Sequence, residues 1–86
     1  MRIFYSALFQ EDFLNLPKEI KKIAEKKLNL FGDNPRYSSL RIKKMGGLLN
    51  IWEGRITDNY RFTFLIEKDI YILRRIGTHD ILRKEK

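Results

Sequence analysis

Eighty-six residues are enough for one domain (1–86) with one modest core. No cysteine and a single histidine exclude disulfides, thiolate-bound zinc and multi-histidine metal sites; carboxylate-only magnesium binding stays open, but the acids are scattered, and no metal and no cofactor are expected. The 18 Lys+Arg against 11 Asp+Glu leave a net charge of +7, which favours nucleic acid or an acidic protein as partner, although a lysine-rich surface alone also gives such a balance.

The apolar start is interrupted by Ser6 and followed by acids, with no cleavage-site pattern, and no apolar run approaches a membrane span. A soluble cytoplasmic protein without a membrane partner is expected.

Residues 2–8 read as a first strand. Ile3, Tyr5 and Ala7 alternate with Phe4, Ser6 and Leu8, and both sets are partly apolar, as in a central or half-covered strand. A short helical turn follows over 9–15, with Glu11 and Asp12 suited to a helix N-terminus. Pro17 fits the first turn of the next helix and breaks the chain after Leu16.

Residues 17–31 carry the strongest helical pattern. Ile20, Ile23, Ala24, Leu28 and Phe31 recur at three- and four-residue spacing, with lysines and glutamates filling the rest. Gly32 is the predicted stop, and Asp33-Asn34-Pro35 prevents resumption. Residues 36–47 form a basic connector that holds Arg36, Arg41, Lys43 and Lys44 and no acid. Leu40 and Ile42 permit a short extended piece, and Gly46-Gly47 a tight turn.

Three runs rich in β-branched and aromatic residues follow, at 51–56, 60–66 and 70–76. Polar breaks at Thr57-Asp58-Asn59 and Glu67-Lys68-Asp69 separate them, as in an antiparallel meander. Alternation puts Tyr60, Phe62, Phe64 and Ile66 on one face and Arg61 and Thr63 on the other. Trp52, Gly54 and Ile56 likewise oppose Glu53 and Arg55. In the third run Tyr71, Leu73 and Arg75 alternate with Ile70, Ile72, Arg74 and Ile76. A sheet with one packed face would gather Arg55, Arg61 and one of Arg74 or Arg75 on the other. Gly77-Thr78-His79-Asp80 closes the run, after which Ile81 and Leu82 can dock.

The order of elements, with Asn34-Pro35, the segment from Leu40 to Gly47, Trp52-Glu53-Gly54-Arg55-Ile56, Tyr60-Arg61-Phe62-Thr63-Phe64 and Arg75-Ile76-Gly77-Thr78-His79-Asp80, resembles the RelE/ParE toxin superfamily. The Gly-Thr-His tail is most like its YafQ branch. The resemblance covers nearly the whole chain and implies an α+β fold: an N-terminal strand, two helices, then a three-stranded antiparallel meander, with the helices on one face. It also implies a toxin of a type II toxin–antitoxin system, held inactive by an acidic antitoxin. RelE-like members are ribosome-dependent mRNA endonucleases that use no metal. ParE-like members act on DNA gyrase.

Metal-free RNA cleavage needs a proton acceptor for the 2′-hydroxyl, a donor for the leaving 5′-oxygen, and positive charge around the phosphorane-like transition state. His79 is the natural proton-transfer group, because imidazole titrates near neutral pH; its alternative is a hydrogen bond within its own turn. Arg61 and Arg55 suit charge neutralisation, since guanidinium contacts phosphate oxygens in pairs. Arg61 also matches an arginine that RelE-like toxins place after an aromatic in this strand, and its structural alternative is an ion pair with Glu53 or Asp80. Arg75 is a further catalytic candidate. Glu53 is a candidate base or a partner orienting His79, or else the counterion of the arginines. Arg41, Lys43 and Lys44 are candidates for the RNA backbone, against a solvated loop. Trp52 and Tyr60 read as core, and Tyr37 and Tyr71 as possible stacking platforms.

Many RelE-like nucleases carry an aromatic residue after the final strand, and this chain has none there. Three functions therefore remain in play: an mRNA endonuclease acting on the ribosome, a gyrase-binding toxin, and a basic RNA- or protein-binding module.

Overall fold

The meander forms as its alternation predicts. In the computed structural model, which describes residues 2–46 and 50–80, β3 (Ile51–Arg55), β4 (Tyr60–Glu67) and β5 (Ile70–Thr78) run antiparallel side by side. The expected turn at Gly46-Gly47 lies partly, and the docking of Ile81 and Leu82 wholly, outside the described residues.

Two further strands turn the meander into a five-stranded mixed sheet of order β1-β5-β4-β3-β2. β1 (Arg2–Tyr5) pairs in parallel with β5, Arg2 opposite Ile70 and Tyr5 opposite Leu73. β2 (Lys43–Lys44) pairs antiparallel with β3, Lys43 opposite Glu53. The first strand is thus an edge, not a central or half-covered strand, and Phe4 remains 59% exposed. The fold is α+β as expected, but the meander is extended on both sides.

Local chemistry ends β1 earlier than its apolar pattern suggests. Ser6 Oγ accepts the N–H of Phe9 at 3.1 Å and donates to the carbonyl of Arg74 at 3.0 Å. This N-cap starts α1 (Ala7–Leu14), so Ala7 and Leu8, expected in the strand, are helical. α2 (Lys18–Asp33) begins after Pro17, which is its N-cap, and runs through Gly32. Asn34 ends it instead, in an extended conformation that the following Pro35 favours.

α2 buries Ala24, Leu28 and Phe31, while Ile23, expected on the apolar face, is 38% exposed. Phe31 makes edge-on contacts with Phe62, Phe64 and Tyr71 at centroid distances of 5.2, 4.9 and 5.6 Å. This cluster fixes α2 on the face of the sheet that carries Phe62 and Phe64, and aromatic pairs of this kind add about 0.5–1.5 kcal/mol each beyond burial. Trp52, Tyr60 and Tyr71 pack against the same core as partly buried residues. Tyr71 is therefore core rather than an exposed platform.

Alternation breaks once. Thr63 pairs with Arg75 and Phe64 with Leu73, so Arg74 is an extra residue in β5. The bulge brings both Leu73 and Ile76 into the core, at 0% and 2% exposure, where strict alternation put them on opposite faces.

Gly54 is demanded by packing. A Cβ there would lie 2.3 Å from the ring of Phe62, its cross-strand partner, and 2.8 Å from Ile42 Cδ1. The Phe62 side chain is fully buried and has no room to yield. At Gly32 a Cβ would meet only Ile3 Cδ1, at an ordinary 3.7 Å. We expect Gly54→Ala to lower unfolding free energy by about 1–3 kcal/mol through overpacking. Gly32→Ala, in the last turn of α2, should raise it by up to about 0.5–1 kcal/mol, the figure for a helix interior. Urea midpoints of the two variants, moving in opposite directions, check both.

Candidate functional site

The β3–β4 register sets Arg55 directly opposite Arg61. Both alternate with the core residues Gly54 and Phe62, so both stand on the face away from Phe31. Like charges in such a pair repel, and the turn between the strands offsets this. Arg55 Nη1 donates to Asp58 Oδ1 at 3.2 Å, three residues along the chain. Arg61 Nη1 donates to the carbonyl of Thr57, to that of Asp58 at 2.6 Å and to that of Tyr60 at 3.3 Å. Its described partners are thus main-chain carbonyls, not Glu53 or Asp80.

The Asp58 side chain is 90% exposed, so its ion pair with Arg55 is weak and open to exchange. Arg55 Nε is buried with no hydrogen-bond partner among the described residues.

These arginines line a cleft of about 380 Å³ together with Arg41, Lys43, Glu53, Gly54 and His79. Four cationic side chains meet one carboxylate there. His79 arrives because β5 pairs Thr78 with Tyr60 and Gly77 with Arg61, and the imidazole follows directly, exposed to solvent. It also borders a shallow depression formed by Asn59, Tyr60, Thr78 and Asp80. Arg41 enters from a single 3-10 turn, Ser38–Leu40, anchored by the fully buried Leu40.

Glu53 is 5% exposed. Its Oε1 accepts from Lys43 Nζ at 3.0 Å across the β2–β3 pair, while Oε2 is buried without a partner among the described residues. The carboxylate therefore serves as counterion to Lys43 rather than to the arginines. Lys44 is exposed on the same short strand but does not line the cleft.

Arg75 lies elsewhere. Its Nε and Nη2 donate to Asp12 Oδ2 and Oδ1 at 2.7 and 2.9 Å, and Asp12 Oδ2 also accepts the N–H of Ile76 at 3.2 Å. Asp12 thereby takes over the edge of β5 beyond the point where β1 ends. The expectation that Arg75 joins the catalytic group is corrected: a two-pronged ion pair holds it against α1. No sequence signal links residues so far apart. By contrast Asp58, also unforeseen, sits three positions from Arg55 and was readable as a turn carboxylate beside a strand arginine.

Among the described residues no three His, Cys, Asp or Glu side chains gather as a metal site, and no helix is long and apolar enough to cross a membrane.

No protein-family model and no curated protein matches the chain. Solved structures do. YafQ from E. coli strain BL21(DE3) superposes with a TM-score of 0.78 at 17% identity, covering 95% of this chain and 98% of that one. The chain has the fold of the RelE/ParE toxins. The same fold recurs in the RelB–RelE antitoxin–toxin complex from Methanococcus jannaschii, with a TM-score of 0.73 at 20% identity over 96% of this chain and 98% of that one. It recurs again in the E. coli DinJ–YafQ toxin–antitoxin complex, with a TM-score of 0.77 at 16% identity and 93% of each chain covered. Within this RelE/ParE fold, the cationic cleft lies where β3 ends, β4 begins and β5 closes.

We expect Asp12→Asn to destabilise the protein by about 3 kcal/mol, because it leaves the Arg75 guanidinium partly buried beside a neutral amide. Chemical denaturation measures the loss. Binding of a short oligonucleotide at Arg55 and Arg61, whose described partners do not include Asp12, should be unchanged in a titration.

Proposed function

We propose that the chain is the toxin of a type II toxin–antitoxin pair and cleaves mRNA on the ribosome without a metal. The observation that carries this reading is the convergence of Arg55, Arg61 and His79 on one cleft. Two guanidiniums on paired strands match the non-bridging oxygens of a phosphodiester, and an exposed imidazole stands beside them.

In the reaction the 2′-oxygen bonds to phosphorus as the bond from phosphorus to the 5′-oxygen breaks. The products are a 2′,3′-cyclic phosphate and a 5′-hydroxyl. The proton of the 2′-hydroxyl is lost and one is gained by the 5′-oxygen. His79 handles the proton at one end of this in-line displacement, and the other exchanges with solvent. Arg55 and Arg61 stabilise the charge that grows on the phosphorane oxygens. A phosphate takes the place of Asp58 at Arg55, which costs little because that carboxylate is already solvated.

Glu53, too buried to meet a ribose hydroxyl directly, holds Lys43 at the rim. Arg41, Lys43 and Lys44 then contact the RNA backbone, a contribution that weakens with added salt. The expected antitoxin is an acidic chain that covers the basic surface, consistent with the net charge of +7 and with the antitoxins bound to the structurally similar toxins.

Induction in a bacterial host and cleavage of mRNA on programmed ribosomes test the reading. His79→Ala should lower the cleavage rate at least about 100-fold and relieve growth inhibition, with circular dichroism unchanged. Arg61→Lys, which keeps the charge but loses the paired geometry, should also cut the rate. Intact mRNA with wild-type protein would defeat the nuclease reading. Growth inhibition that survives His79→Ala, together with failing DNA supercoiling, would favour DNA gyrase as the target. Harmless overexpression would favour a binding module.

A further inference from the structure

We propose that Tyr37 forms the floor of a nucleobase subsite beside the cationic cleft, stacking an unpaired RNA base next to the phosphodiester held by Arg55 and Arg61. The inference rests on the nucleic-acid reading of that cleft and extends it to a residue outside it.

A second depression of about 360 Å³ is lined by Pro35, Arg36, Tyr37, Ser38, Arg41 and Ile42. Arg41 lines this depression and the catalytic cleft alike, so the two are adjacent through one guanidinium. None of the six lining residues is acidic, and the Tyr37 side chain is left exposed, the residue at 45%. An aromatic face between two arginines suits a base and its flanking phosphates, because stacking is indifferent to base identity and guanidiniums bind the backbone or extend the stack.

The other aromatics do not offer this. Trp52, Tyr60 and Tyr71 pack against the core. Phe4 and Tyr5 are exposed, but on β1, at the opposite edge of the sheet from β2. Among the described residues, Tyr37 is the exposed aromatic on the cleft's side of the sheet.

The platform is held in place before any ligand arrives. Asn34 Oδ1 accepts the N–H of Arg36 at 3.0 Å, and Tyr37 N–H donates to the carbonyl of Asn34 at 3.2 Å. The carbonyls of Tyr37 and Ser38 accept the N–H groups of Leu40 and Arg41, each at 3.1 Å. Such ordering reduces the entropy lost on binding. Arg41 itself adopts φ 46°, ψ 48°, a left-handed conformation that glycine or asparagine would take more easily. A long cationic side chain at that costly position, shared by both depressions, is explained by a ligand that spans them.

The test uses the full chain and a 2′-O-methyl oligonucleotide of about eight nucleotides, which cannot be cleaved, carrying a fluorescent label for anisotropy. A parallel set has an abasic site at each position in turn. Wild-type protein should lose about tenfold in affinity at one abasic position. Tyr37→Ala should lose the same factor on the intact strand and become insensitive to that abasic site, whereas Tyr37→Phe should match wild type. Unchanged binding by Tyr37→Ala, or equal binding of every abasic strand, would overturn the subsite; a simultaneous loss with Arg61→Ala would leave the cleft's reading standing. Failure of the wild-type chain to bind the oligonucleotide at low salt would overturn both.

Discussion

Two guanidinium groups stand opposite each other on neighbouring strands, and much of the molecule is arranged to hold them there. A like-charged pair at this position opposes folding. Asp58 and the carbonyls of residues 57, 58 and 60 draw off part of the charge, through hydrogen bonds to Nη1 of each arginine. The remainder is left over: Arg55 Nε is buried without a partner among the described residues, as is Glu53 Oε2 two residues before it. Buried polar atoms are paired in most native proteins. Both of these atoms belong to residues that line the one cleft.

The apolar face of the sheet supports this arrangement. Phe62 lies over Gly54 and against Phe31, so the strands that carry the arginines are locked by the aromatic core. Groups placed on strands are held more tightly than groups on loops. His79 lies just beyond the end of β5 and is exposed, and the Arg41 turn is tied down by Leu40. The cleft thus combines two strand-borne guanidiniums with an exposed imidazole at its margin.

Two residues before Gly77, the cross-strand partner of Arg61, the same residue type has a different task. Arg75 is next to a β-bulge and is gripped by Asp12 from α1. In the linear chain it is, like Arg55 and Arg61, an arginine within an apolar strand. Period-two alternation carries no information about a bulge, since one additional residue reverses every face that follows. That is why Leu73 and Ile76, which strict alternation puts on opposite faces, both reach the core, whereas Arg55 and Arg61, on strands paired without a shift, share a face as alternation expects. The strand end at Tyr5 was misread for a different reason: the hydrogen bonds of Ser6 outweigh the apolar character of Ala7 and Leu8.

Sequence by itself determined the three meander strands, the principal helix and the alternation that sets Arg55 and Arg61 apart from the apolar positions of their strands, because short-range periodicity and turn chemistry encode those features; the α+β class came from the resemblance of the whole order of elements to a known family. Sequence also determined the absence of thiol chemistry and the strong positive charge. Tertiary structure alone decided that β1 lies at an edge and pairs in parallel, that Asp12 claims Arg75, that Glu53 answers Lys43, and that Arg41 and His79 close on the arginines from opposite sides. Those outcomes depend on strand order and register between distant segments. Such contacts are selected by the packing of the whole chain, so no local window of residues contains them.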